Sequence, residues 1–114
     1  MKNYTSLEQS KQLIAAGLDP NTADMDWIYE YLIGDYNESP YFDIHTTEAE
    51  DLPCWSVGGL IAAINSDYTF GLAKDGKTYS CLIAGKMFDG DNLVDVLVEV
   101  ILWLLEEGRI KKGE

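Results

Sequence analysis

From position 12 to position 73 the chain contains no lysine and no arginine, yet that stretch carries eleven Asp or Glu and nine of the thirteen aromatic residues. Affinity for phosphates comes from basic side chains that displace counterions, so this half has the wrong sign to hold nucleic acid by its backbone. Glycines are present, but no GxGxxG sequence occurs, which removes the usual dinucleotide-binding turn. The longest apolar run, 96–105, is broken by Glu99 and falls far short of a bilayer span. No apolar run behind a basic start marks a secretion signal, so the expected location is the cytosol. The only two cysteines, Cys54 and Cys81, are then expected to be free thiols.

What is present is an ordinary globular composition, 46% hydrophobic and 25% charged, on 114 residues with a net charge of −12. That length fits one domain spanning 1–114 with one modest core. The charge bears on solubility and choice of partner more than on topology.

Thr5-Ser6-Leu7-Glu8-Gln9 holds two overlapping capping boxes, Thr5 with Glu8 and Ser6 with Gln9, and predicts a helix over 6–16 closed by Gly17 ahead of Asp19-Pro20. Residues 25–33 fit either a helical or a strand face; their aromatic and β-branched content favours strand. The segment 34–40 reads as a turn, 41–45 as a second short strand and 46–51 as an acidic loop. Ser56 is the expected N-cap of a helix carrying Val57, Leu60, Ile61 and Ile64 on one face, and Gly58 and Gly59 within it predict a second backbone packed close by. Asp75-Gly76 is a two-residue hairpin signal; counting outward pairs Leu72 with Tyr79, Phe70 with Cys81 and Tyr68 with Ile83, and places Phe70 and Cys81 in the core. A last helix runs from a cap at Asp91 or Asn92 to about Glu107, ended by Gly108. Its surface is so apolar, with Val96, Val100, Trp103 and Leu104, that it is either central to the core or the interface of a homodimer. The expected fold is α+β: three helices on a small, mainly antiparallel sheet.

Four blocks carry a resemblance. They are Tyr4-Thr5-Ser6-Leu7-Glu8-Gln9-Ser10-Lys11, then Gly17-Leu18-Asp19-Pro20 with Thr22-Ala23-Asp24-Met25, then Pro53-Cys54-Trp55-Ser56-Val57-Gly58, then Asp91-Asn92. In this order they resemble a family of small proteins of Bacteroides-type bacteria and their phages or mobile elements. The family pattern often has Ala in place of Gly59 and Pro in place of Leu93; a proline there would be the first helical residue and would make Asn92 the cap. The resemblance implies a phage- or element-associated bacterial protein and carries over no activity, cofactor or catalytic residue.

Chemistry-bearing groups are sparse. Cys54 before a helix start and His45, the only imidazole, allow a Cys-His hydrolase to be drawn, but no oxyanion donor accompanies them, and a core plug of Cys54 and Trp55 is the simpler reading. Asp43, His45, Glu48, Glu50 and Asp51 are acceptable metal-ligand types, yet with one histidine among many acids a solvated acidic loop is the better reading. Asp35-Tyr36-Asn37-Glu38-Ser39 opens like a calcium loop, but Pro40 and Thr46 stand where glycine and a bidentate glutamate are required. No catalytic residue, metal or cofactor is therefore assigned.

The remaining candidate is a protein-binding face made of Tyr29, Tyr31, Tyr36 and Tyr41 with Asp35 and Glu38, since tyrosine offers large contact area at small entropic cost. The same tyrosines are also ordinary half-buried strand residues by their spacing. The expected function is an accessory protein that meets an unidentified protein partner through its acidic, aromatic half. A DNA mimic occupying a basic groove and a small Cys- or metal-dependent hydrolase are the alternatives.

Overall fold

A computed structural model of the chain describes residues 3–30, 34–36, 40–42, 51–64 and 69–110. Helix α1 (Leu7–Ala16) starts where the capping signal put it. Of the two overlapping boxes Ser6 with Gln9 is the one that forms, and Gly17 closes the helix in the left-handed region at φ 101°. Asp19-Pro20 does more than stop it: Asp19 caps a single 3-10 turn, Pro20–Thr22. The chain then extends through β1 (Met25–Trp27) and β2 (Tyr29–Glu30), in agreement with the strand reading.

Three further short strands follow. Asp35–Tyr36 forms β3 against β2, where the sequence predicts only a turn. Tyr41–Phe42 forms β4, and Leu52–Cys54 forms β5, a strand that sequence does not announce because Pro53 reads as a breaker. β1 lies between β4 and β5, all antiparallel, so Pro53 sits on an outer strand of that sheet, where its missing N–H costs least. The acidic segment 46–51 lies outside the described residues apart from Asp51.

Helix α2 (Val57–Ala63) is capped by Ser56, whose hydroxyl accepts from the Gly59 N–H. The predicted close neighbour of its glycines is a side chain, not a backbone. A methyl at Gly59 would run into the Asp24 carboxylate, 2.8 Å from its Cγ, while Gly58 meets nothing nearer than Ser56 Oγ at 3.7 Å.

Strands β6 (Phe70–Asp75), β7 (Thr78–Ile83) and β8 (Lys86–Gly90) form an antiparallel meander. The register differs from the sequence count by two: Asp75 faces Thr78, Leu72 faces Cys81 and Phe70 faces Ile83. The loop residues are Gly76 and Lys77, an arrangement that puts only glycine, at φ 61°, in the left-handed region and spares Asp75. A slip of two keeps every side chain on its predicted face. Cys81 and Ile83 are buried as expected, but Phe70 is only half-buried and Leu72 is exposed; Tyr68 lies outside the described residues. The third strand, turned back through Ala84 and Gly85, has no counterpart in the sequence reading.

Helix α3 (Leu93–Glu106) begins at Asn92, whose side chain accepts from the N–H groups of Val94 and Asp95. It is the centre of the main core. Val94, Val96, Leu97, Val100, Ile101 and Leu104 are buried among residues of α1, α2, β7 and β8. Of the apolar stripe Val96, Val100, Trp103 and Leu104, the three aliphatic residues are buried within the same chain and Trp103 is half-buried. Gln9 ties α1 to α3 by donating from Nε2 to Asp95 Oδ1 at 2.7 Å. A second, smaller cluster joins Met25, Trp27 and Cys54, with Tyr4, Leu7, Tyr36 and Leu52 against it. The architecture is α+β, three helices with antiparallel strands, although among the described residues the strands form three separate groups where one small sheet is expected. No helix among the described residues is long and apolar enough to cross a membrane.

Candidate functional site

The two clusters meet at a buried polar node built on Thr5. The segment just before α1 lies antiparallel to the residues that follow β5: Thr5 N–H donates to Trp55 O at 2.9 Å, and Tyr4 bridges Ser56. This turns the Thr5 hydroxyl inward, so it does not cap α1 as the first of the two boxes would require. Thr5 Oγ1 accepts from the Trp55 N–H at 3.1 Å, lies 2.8 Å from Ser10 Oγ and donates to Cys54 Sγ at 3.5 Å. Its carbonyl accepts from Trp27 Nε1 at 3.2 Å and from the Cys54 thiol at 3.4 Å. Thr5, Ser10, Cys54 and Trp55 are all fully buried.

Cys54 in this node is a poor nucleophile. Burial, opposed by the Thr5 hydrogen bond, pushes its thiol up to about 11. The helix-start position that drew a hydrolase from the sequence does not lower it, because the thiol points into the core. Cys81 is raised too, again by burial, and both thiols are free. His45 lies outside the described residues, as do Asp43, Glu48 and Glu50. Among the described residues no three His, Cys, Asp or Glu side chains gather in a way that would hold a metal.

A second polar junction joins Asp24 to Ser56. The Asp24 carboxylate accepts from the Ser56 N–H at 2.8 Å through one oxygen and from the Ser56 hydroxyl through the other. Ser56 is thereby occupied on both sides, donating to Asp24 and accepting from Gly59. The arrangement anchors the start of α2 against the 3-10 turn, and Trp55 Nε1 adds a bond to Thr22 Oγ1 at 3.0 Å.

The aromatic face is partly assembled on the two-stranded ribbon. Tyr29 pairs with Tyr36 and Glu30 with Asp35 across β2 and β3. The two tyrosine rings meet edge to face, with centroids 5.4 Å apart and planes at 85°, the favourable geometry for opposed ring quadrupoles. Both are half-buried, Tyr36 because it leans on the Met25, Trp27 and Cys54 cluster, while Asp35 at their side is exposed. Asp51, just before β5, fixes the ribbon by accepting from the Tyr29 N–H at 2.9 Å. That role spans 22 residues and has no local signal in the sequence. Tyr41 stands in β4 opposite Asp26. Tyr31 and Glu38 lie outside the described residues. The structure therefore brings Tyr29, Asp35 and Tyr36 together, and adds Asp51. No family model matches the chain, and neither a curated protein nor a solved structure matches it.

Proposed function

We propose that the chain is a non-enzymatic protein-binding domain that meets a basic partner protein through its tyrosine-bearing acidic ribbon. The observation that carries this reading is the edge-to-face pair of Tyr29 and Tyr36, held at 5.4 Å with Asp35 exposed beside it. Such a pair has little rotamer freedom left to lose, and rigid aromatic groups rimmed by charge are what interface centres are made of. The net charge of −12 favours a basic partner and speeds encounter with it. Two free, buried thiols and the resemblance of the four sequence blocks support a reducing bacterial cytoplasm and an association with phages or mobile elements.

Affinity capture on immobilised protein tests this directly. The wild type is expected to retain a discrete basic protein that elutes with salt, and Tyr29→Ala and Asp35→Lys are expected to lose it. Equal retention by both variants would place the contact elsewhere. Capture of a nuclease or repressor displaced by duplex DNA would favour the DNA-mimic reading.

A further inference from the structure

Strand β6 carries an unused edge. It pairs with β7 on one side, and among the described residues no strand pairs with the other. A two-residue loop makes its flanking residues, Asp75 and Thr78, a hydrogen-bonded pair, and alternation along the ladder then points the N–H and C=O groups of Phe70, Leu72 and Lys74 away from β7. The side chains of these three residues share the face that carries Cys81 and Ile83. Helix α3 covers that face over β7 and β8, which leaves Leu72 41% exposed.

We infer that β6 is a self-association edge, on which a second copy of this chain adds its own β6 antiparallel about a two-fold axis at Leu72. In this register Leu72 faces Leu72 of the second copy, Phe70 faces Lys74 in both directions, and Gly71 faces Ala73 on the opposite surface. Every outward-pointing amide of Phe70, Leu72 and Lys74 gains a partner, the exposed leucine is covered, and each lysine lies across from an aromatic ring. Lys74 already sits over the Tyr79 ring at 5.3 Å, so its stem lies along this face. Charge permits the contact here. Residues 70–90 hold three lysines and two aspartates, net +1, so the remainder of the −12 chain carries −13. Two copies therefore approach through a strand that, with Lys74 and Asp75 as its charged residues, is itself net neutral. A ladder of about five residues from each copy is a small interface, so the dimer dissociates on dilution.

Sedimentation of the full chain over a concentration series is expected to show a reversible monomer–dimer equilibrium. Leu72→Asp, which opposes two carboxylates on the axis, is expected to weaken it about tenfold or more while thermal unfolding of the monomer stays near wild type, because the residue is exposed. In a chain with Leu72→Cys a short bismaleimide is expected to join two copies. With Leu82→Cys it is expected to fail, since Leu82 is exposed on the other face of β7 and three strand spacings would separate the pair by roughly 14 Å. Cys54 and Cys81 are buried and contribute no background. A monomer at every concentration, a dimer indifferent to Leu72→Asp, or cross-linking from position 82 in place of 72 would each overturn the inference.

Discussion

Replacing Thr5 by valine keeps the shape of the side chain and removes the hydroxyl on which the two clusters are joined. In the folded protein that oxygen accepts from the Trp55 N–H and pairs with Ser10 Oγ, in a region with no exposure to water. Without it the Trp55 N–H has no acceptor at its side. Ser10 can turn back to a carbonyl one helical turn earlier, so its loss is partial. An orphaned buried donor costs about 1 to 3 kcal/mol, and the Ser10 adjustment brings the expected total to about 2 to 3 kcal/mol. Against a domain stability of about 5 to 15 kcal/mol, this is a large fraction. Urea denaturation followed by tryptophan fluorescence measures it, with an unchanged slope expected because the folded surface stays the same. Ser10→Ala should cost less, since Thr5 keeps the Trp55 bond, and Thr5→Ser should stay nearer wild type. A Thr5→Val change below about 0.5 kcal/mol, or a larger loss in Ser10→Ala, would refute the argument that this hydroxyl closes the node.

Three other changes follow from the same geometry. Gly59→Ala should destabilise by about 1 to 3 kcal/mol because its methyl meets the Asp24 carboxylate, whereas Gly58→Ala in the same helix should stabilise by up to about 1 kcal/mol; paired denaturation curves distinguish them. Ala84 occupies the left-handed region at φ 51° beside Gly85, so Ala84→Asn should raise stability by about 1 kcal/mol in the same assay. The Cys54 thiol is lifted from 9.0 to about 11 by burial, so its contribution is intact below pH 9 and is lost as pH rises through 11. Alkaline unfolding midpoints should accordingly fall over that window, and Cys54→Ala should flatten the fall.

Much of this fold is written in short-range signals. Ser6 with Gln9, Ser56 and Asn92 are legible as caps because each bond closes within three residues. Leu93 is the first residue of α3, directly after the Asn92 cap. The face assignments of the meander survive a wrong register because a slip of two preserves alternation. What fails is non-local. β5 is hidden by Pro53, whose place on an outer strand depends on β1 lying beside it. The close neighbour of Gly59 is legible as a constraint, but its identity as Asp24 is not, since the two lie far apart in the chain. At the candidate site the tyrosine at 29 and its acidic neighbour at 35 can be named from composition. Their pairing needs β3, and their anchoring needs Asp51, neither of which has a local signature.

The central claim is that the ribbon bearing Tyr29 and Tyr36 touches another protein. Its most direct test is a photo-reactive tyrosine analogue placed at position 29 and irradiated in the native host, with the same group at exposed position 82 as comparison. The account predicts one discrete heavier adduct with a basic protein from position 29, abolished by Asp35→Lys, and none of that mass from position 82. The same adducts from both positions, or none from position 29 in cells where the protein is folded and abundant, would contradict it.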